Sequence, residues 1–438
     1  MRIVRKYVVL LGLLFIFLQG KIFSQTQWIR QNSQTSTLLR KCIFVDSLYG
    51  WAIGDSGIIV GTFNGGNNWN TQSKIPSHYL LDIFFLNRNR GWVIAWFNNG
   101  INYGSLIYKT TNSGINWSYN VYPDTNLYLT TIFFLDNNKG FLGATSNIIT
   151  LYYSINGGIN WIPCGTDSNV YSNFPVRKII FFNQNTGFAV GGYFDIAGVI
   201  WKTTNSGLNW TSQVVGGEPL NHMIFIDSIK YIVSGGDFEY GVSVSRTTNS
   251  GINWIYEPLN YFGIGYGISF RKITDGYIST GFGKMFIKST DAGNNWFTIN
   301  TPDNSSIYDI IFLNEKYGWC VGDSGVIYKF NYNYSVLNEL IEIIPDNIIN
   351  AFNFPNPFNS ATVLKFILKE DCLINLKIYD VNGKEMNLYY NNKFNAGVNI
   401  IKLNFNGYPS GIYFYKLNST STKSGNISKK SGKLLLIN

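Results

Sequence analysis

Charge is scarce in this chain. Of its 438 residues only 13% are Asp, Glu, Lys or Arg, about half the usual share. There are two histidines, His78 and His222, and neither has the partners of a Ser-His-Asp triad. The four cysteines, Cys42, Cys164, Cys320 and Cys372, are scattered, with no C-x-x-C pair and no histidine close by. That argues against zinc and for buried free thiols. No G-x-S-x-G, HExxH or phosphate-loop motif occurs, so neither a cofactor nor a metal is expected. Beyond the first 24 residues only seven arginines remain: Arg30, Arg40, Arg88, Arg90, Arg177, Arg246 and Arg271. No arginine triad of the kind that grips a substrate carboxylate can be assembled from them. The net charge of +9 is uneven. The first 24 residues hold +4 and residues 351–438 hold +7, which leaves −2 for residues 25–350. A near-neutral main body without a basic block does not suit nucleic acid.

In place of charge the chain has aromatics (17%), 44 glycines and abundant asparagine. This is a composition of strands and tight turns. The beginning is different. Arg2, Arg5 and Lys6 precede an apolar run, Tyr7 to Leu18, that is short for a bilayer span. With Ser24 small and well placed for cleavage, residues 1–24 are expected to be a signal peptide and Gln25 the mature start.

One octapeptide, TTNSGINW, occurs at 110–117 and again at 247–254. It is a copy of a looser pattern: Thr/Ser, any, Asn/Asp, any, Gly, any, Asn, Trp. The pattern occurs six times, carrying Asn64 and Trp69, Asn112 and Trp117, Asn156 and Trp161, Asn205 and Trp210, Asn249 and Trp254, and Asp291 and Trp296. The tryptophans are 48, 44, 49, 44 and 42 residues apart, a period that signals a repeat architecture. A second element keeps the same beat: an apolar run ending in Phe, a polar turn, then Gly-aromatic, as in TIFFLDNNKGF (131–141). Seven units carry it, MIFIDSIKY (223–231) and ISFRKITDGY (268–277) being weaker copies. Each unit reads as four short strands, with Asn and Gly supplying the positive φ of the hairpin turn. The seventh unit lacks the Trp motif. At the other end QWIRQNS (27–33) looks like a fourth strand, and Trp28 precedes Trp69 by 41 residues. The expected fold is therefore all-β: a seven-bladed β-propeller over residues 25–333, closed by its N-terminal strand.

The octapeptide pattern resembles the Asp-box of bacterial sialidase-type (BNR) propellers. Together with the Phe…Gly-aromatic element it looks like the propellers of the photosystem II stability and assembly factor family. The resemblance covers residues 27–331. Five boxes here have Asn for Asp, and all six have Asn for the Thr before Trp. In the resembled families the boxes are structural and lie away from any active site. Kelch propellers are the nearest alternative, through Gly191-Gly192 and Gly235-Gly236. GDSG, at 54–57 and 322–325, falls at the same place in two units and reads as a turn.

Residues 334–350 read as a linker and 351–438 as a small C-terminal β-sandwich. Its PNPFN opening (Pro355, Asn356, Pro357), a Y-D-x-x-G-K segment with Gly383, turn glycines at Gly397 and Gly411, and a Y-x-x-G-x-Y-F-Y segment with Gly411 and Tyr413 resemble the C-terminal sorting domain of the type IX secretion system. That resemblance implies a Bacteroidetes–Chlorobi source and export through the periplasm, to the medium or the outer-membrane surface. It implies the secretion machinery as a partner and no membrane span once the signal is removed. A carbohydrate-binding sandwich is the alternative.

Propellers bind at one mouth of the channel. The most loaded loops there carry Trp96, Phe97, Tyr103, Tyr193, Phe194, Asp195, Asp237, Phe238, Glu239 and Tyr240. Aromatics beside carboxylates suit a glycan or a protein ligand. The expected function is a non-catalytic binding or interaction module. The alternative is a sialidase-like glycoside hydrolase or lyase using Asp195, Asp237 or Glu239.

Overall fold

A computed structural model describes residues 27–74, 78–98, 103–125, 127–146, 148–332, 348–423, 425 and 427–437. The expected signal peptide, with Ser24 and Gln25, lies outside the described residues, as do residues 334–347 of the expected linker. The chain divides into two units, Met1–Tyr332 and Asn333–Asn438.

Among its described residues the first unit holds seven antiparallel sheets. Their first strands are Leu39–Phe44, His78–Phe85, Tyr128–Phe134, Val176–Phe181, Leu220–Phe225, Gly267–Lys272 and Ile307–Phe312. Within each sheet the strands follow in chain order, except that Gly165–Thr166 adds a parallel fifth strand at the edge of sheet four. In the last, Trp28–Gln31 supplies the outermost strand, pairing with Ile327–Phe330. Sheet three departs from the common plan. Its fourth strand is only Ile162–Pro163, since proline has no N–H to continue a ladder. Gly165–Thr166 then pairs in parallel with Gly165's neighbour across the gap, Asn209, and with Trp210 of sheet four.

The repeated motifs follow from one packing unit. In six of the seven sheets the last Phe of the first strand pairs with the residue that opens the second, Phe44 with Gly50, Phe85 with Gly91, and so on; in sheet six Phe270 pairs with Gly276, the second residue of its strand. A Cβ on Gly50 would collide with the Phe44 ring, which explains the glycine. Sheet five has Tyr231 there, and its ring meets Phe225 edge-on instead. At several junctions the aromatic after the glycine stacks on the Phe of the next sheet: Trp51 on Phe85 at 3.5 Å, Trp92 on Phe134 at 3.7 Å, Trp319 on Phe44 at 3.6 Å. The box tryptophan of that next sheet then meets the same Phe edge-on, as Trp117 meets Phe85 at 6.0 Å. Trp28 takes this place in sheet seven, 5.7 Å from Phe312.

The six boxes share one hydrogen-bond pattern. The Thr or Ser hydroxyl accepts from the Gly N–H four residues on, at 2.8–3.1 Å, and donates to the Asn or Asp oxygen. That oxygen accepts the amide before Trp, at 2.9–3.0 Å. Asn serves as well as Asp because only one acceptor oxygen is needed. Both GDSG segments are turns, with Ser56 and Ser324 at positive φ.

The second unit has two sheets. One is Ile348–Phe354, Ala361–Leu368 and Gly397–Asn404. The other is Glu385–Phe394, Cys372–Tyr379, Gly411–Ser421 and Ile427–Leu436. Their inner faces share one core that includes Leu364, Phe366, Leu376 and Leu417. Its first strand begins at Ile348, inside the segment expected to be linker. The Asn356 amide donates to the Lys433 carbonyl and accepts from the Leu435 N–H, tying the PNPFN segment to the last strand. Gly383 and Gly397 have positive φ. Gly411, expected in a turn, opens a strand instead, and Tyr413 is buried, donating to the Pro409 carbonyl.

Candidate functional site

Six of the seven first strands carry a β-bulge near their start, which re-aims one side chain. The bulged residues are Arg40, Leu81, Thr130, Arg177, Asn221 and Tyr308. In sheet six the corresponding residue is Tyr266, just ahead of its strand. These seven residues, one from each sheet, line a single cavity of about 280 Å³ together with Lys41 and Trp96.

The two arginines in this cavity differ. Arg40 makes a two-pronged ion pair with Asp55, at 2.6 and 3.1 Å. Arg177 has neutral partners: its Nη1 donates to the Asn221 oxygen at 2.7 Å, and its guanidinium lies 4.7 Å from the centre of the Phe194 ring. The Asn221 nitrogen is held in turn by the Gly265 carbonyl. Burial pushes the Arg177 pKa down to about 10, as expected of a cation withdrawn from water without a counter-charge. Burial also raises the phenol pKa values of Tyr266 and Tyr308. Trp96 is fixed by donating its indole N–H to the Leu129 carbonyl at 2.7 Å.

One residue further along the strands lies a second layer of polar groups. Asp82 accepts from the Thr131 hydroxyl at 2.6 Å and the Ile132 N–H at 3.1 Å, and Lys178 approaches it at 3.5 Å. Asp309 accepts the Cys42 N–H at 3.0 Å, and burial raises its pKa. His222 is held well below its usual range by burial, with Lys178 and Lys41 adding to the effect. Asp82 joins sheets two and three, and Asp309 joins seven and one, so this layer fastens neighbouring sheets.

A separate acidic group is formed by Asp195 in a loop of sheet four, Glu218 in the connection to sheet five, and Asp237, which the sequence placed in a loop but which ends the strand Tyr231–Asp237. Carboxylate oxygens of Asp195, Glu218 and Asp237 all lie within 4.8 Å of one another. Glu218 accepts the Asp195 N–H, and Asp237 accepts the N–H groups of Glu239 and Tyr240. Burial raises the Glu218 pKa, and the neighbouring charges of Asp237 and Asp195 reinforce this.

The sequence-derived candidates therefore separate. Trp96 and Phe97 are strand residues, not loop residues, and Tyr103 opens the following strand. Of these only Trp96 lines the cavity. Tyr193 is also in a strand, its ring packed edge-on against Phe174. Phe194, Asp195, Phe238, Glu239 and Tyr240 are exposed, whereas Asp237 is buried. Glu239 stands outside the acidic group. Sequence reasoning missed Glu218 and every residue of the cavity except Trp96. A signal for them was present. Arg40, Leu81, Thr130, Arg177, Asn221, Tyr266 and Tyr308 each stand four residues before the Phe that ends the first-strand motif.

Residues 353–430 match the family described as secretion system C-terminal sorting domain. No curated protein matches the chain. Several solved structures share the fold. "YCF48 bound to D1 peptide" has a TM-score of 0.55 and 17% identity, covering 70% of this chain and 97% of that one. The virginiamycin B lyase of Staphylococcus aureus has a TM-score of 0.53 and 12% identity, covering 69% and 97%. The GH74 xyloglucanase of Xanthomonas campestris has a TM-score of 0.53 and 11% identity, covering 78% and 59%. At these identities the likeness concerns fold alone. Among the described residues no helix is long and apolar enough to cross a membrane. The protein is a β-propeller with a type IX secretion C-terminal sorting domain, exported to the medium or to the outer-membrane surface.

Proposed function

We propose that the propeller is a non-catalytic binding module whose channel mouth takes a carboxylate-bearing segment of an extracellular ligand. The observation that carries this reading is Arg177. It is a half-buried guanidinium in an open cavity, bonded to an amide and an aromatic face but to no carboxylate among the described residues. Such a group gains from an incoming anion, and a guanidinium fork matches a carboxylate in shape. Trp96, Tyr266 and Tyr308 supply aromatic walls for the rest of the ligand. The ligand we favour is a peptide. In the first structure named above, a protein of the same fold is bound to one.

The reading is tested by fluorescence anisotropy on the purified protein, using random-sequence peptides with free or amidated C-termini. The free acids should bind and the amides should bind at least about tenfold more weakly. Equal binding by both sets, or loss of neither on Arg177→Met, would sink it. Uronic-acid oligosaccharides as competitors distinguish a glycan ligand from a peptide.

A hydrolase or lyase is the second reading, and one observation favours it. Glu218, with its raised pKa, lies beside Asp237, as a general acid lies beside a second carboxylate. Against it, the acidic residues belong to neighbouring sheets instead of facing each other over the channel, and none lines the cavity. Product masses after incubation with polysaccharides decide the matter: new, smaller masses that vanish with Glu218→Gln would establish catalysis.

A further inference from the structure

The loops of sheets five and six expose a group of aromatic rings that the channel-mouth reading does not use. Phe238 is 67% exposed, Phe262 63% and Tyr240 55%. Phe238 stacks on Phe282 with ring centres 4.9 Å apart and planes within 13°, and Phe262 meets Phe282 edge-on at 5.3 Å. The three phenylalanines come from three different connections, so a contiguous apolar surface has been assembled where each ring alone would be unremarked. Contiguous exposed patches of this kind mark interaction sites.

The surroundings of this patch are acidic. Asp237 precedes Phe238 in the chain, and its carboxylate gathers with those of Asp195 and Glu218. Glu239 is exposed between Phe238 and Tyr240. All four acids raise the pKa of the Tyr240 phenol, Glu239 most strongly, so each acts on the exposed ring. The opposing charges are Lys284, exposed beside Phe282 and Gly283, and Arg177, turned to Phe194.

We propose that this rim is a second docking surface, and that its occupant is a lysine- or arginine-bearing segment of another polypeptide. The aliphatic stem of such a side chain would lie on the Phe238, Phe262 and Phe282 rings, and its charged head would reach the carboxylates. Charge complementarity selects this partner over an apolar or anionic one. The surface is distinct from the Arg177 site and stands or falls apart from it.

The test uses the purified protein and a fluorescein-labelled extended peptide of alternating Lys and Leu, amidated at its C-terminus. A matched peptide with Gln for Lys is the control. The Lys peptide should bind, weakening about tenfold or more between low and high salt. Phe238→Ala and Glu239→Lys should each lower its affinity about fivefold or more at unchanged Tm. Equal binding of the Gln peptide, or unchanged affinity in the Phe238→Ala/Glu239→Lys double variant, would overturn the proposal. So would Ca²⁺ alone binding to the acidic group and displacing the peptide, since that result makes it a metal site. The amidated probe offers no carboxylate to Arg177, so its failure leaves the channel-mouth reading untouched. Failure of the free-acid peptides likewise leaves this one untouched.

Discussion

Phe44 lies where the two ends of the propeller chain meet. Its ring is 4% exposed, stacked at 3.6 Å on Trp319 of sheet seven and met edge-on by Trp69 of its own sheet. Phe44→Ala removes the middle ring of three. Core Phe→Ala changes cost about 3–5 kcal/mol, the upper end applying where neighbours cannot collapse. Here both tryptophans are at most 1% exposed and held by their own strands, so about 4 kcal/mol is expected. Phe85, stacked at 3.5 Å on Trp51 and met by Trp117, is the matching residue between sheets one and two. If the junction of the chain ends has the same geometry as an internal one, Phe85→Ala should cost the same within about 1 kcal/mol. Phe63, 40% exposed, is the surface control, with an expected change below about 0.5 kcal/mol. Urea unfolding followed by tryptophan fluorescence reads this cleanly, because all 12 tryptophans precede residue 320 and the sandwich contributes none. A loss under about 1 kcal/mol for Phe44→Ala, with Phe85→Ala costing the full amount, would refute the equivalence of the junctions.

Arg177→Met should leave Tm unchanged or higher while abolishing binding of free-acid peptides, because a half-buried cation without a counter-charge contributes little stability; a large fall in Tm would mark Arg177 as structural. Glu218→Gln should raise Tm at neutral pH and leave it unchanged near about pH 4. The sign follows from a folded-state pKa that is raised by burial and by the nearby charges of Asp237 and Asp195: the carboxylic acid is compatible with the fold, and stability is lost as pH rises through that pKa. A Tm gain that persists at low pH would contradict this. The thiols of Cys42, Cys320 and Cys372 are all pushed up by burial, and that of Cys164 to about 12. A thiol reagent should therefore find four reactive groups in urea, and react about a hundredfold or more slowly with the native protein; one fast native thiol would show an open site.

The repeats made the propeller legible because its packing is repetitive. The Phe, the glycine beneath it and the box tryptophan recur since most junctions between sheets bury the same kind of aromatic packing, with Ile232 replacing one ring between sheets five and six, and Trp28 could be recognised as the displaced copy by its spacing and its strand-like surroundings. The cavity was illegible for the converse reason. A search for repetition rewards positions that stay the same, and the cavity is built from the positions that differ: Arg40, Leu81, Thr130, Arg177, Asn221, Tyr266 and Tyr308 occupy equivalent places with five residue types. Bulging, or for Tyr266 a place just ahead of its strand, frees these side chains from the sheet-to-sheet packing, so nothing in the fold dictates their identity. Glu218 escaped notice for another reason: it lies in a connection between sheets, outside both motifs, and only the fold brings it to Asp195 and Asp237. In a repeat protein the constant columns specify the scaffold, and a column that sits in constant register yet varies in chemistry is where a ligand can be read. The column four residues before the motif phenylalanine meets that description, and of its two arginines Arg40 is paired with Asp55 while Arg177 is bonded to Asn221, which is why we propose that an incoming carboxylate pairs with Arg177.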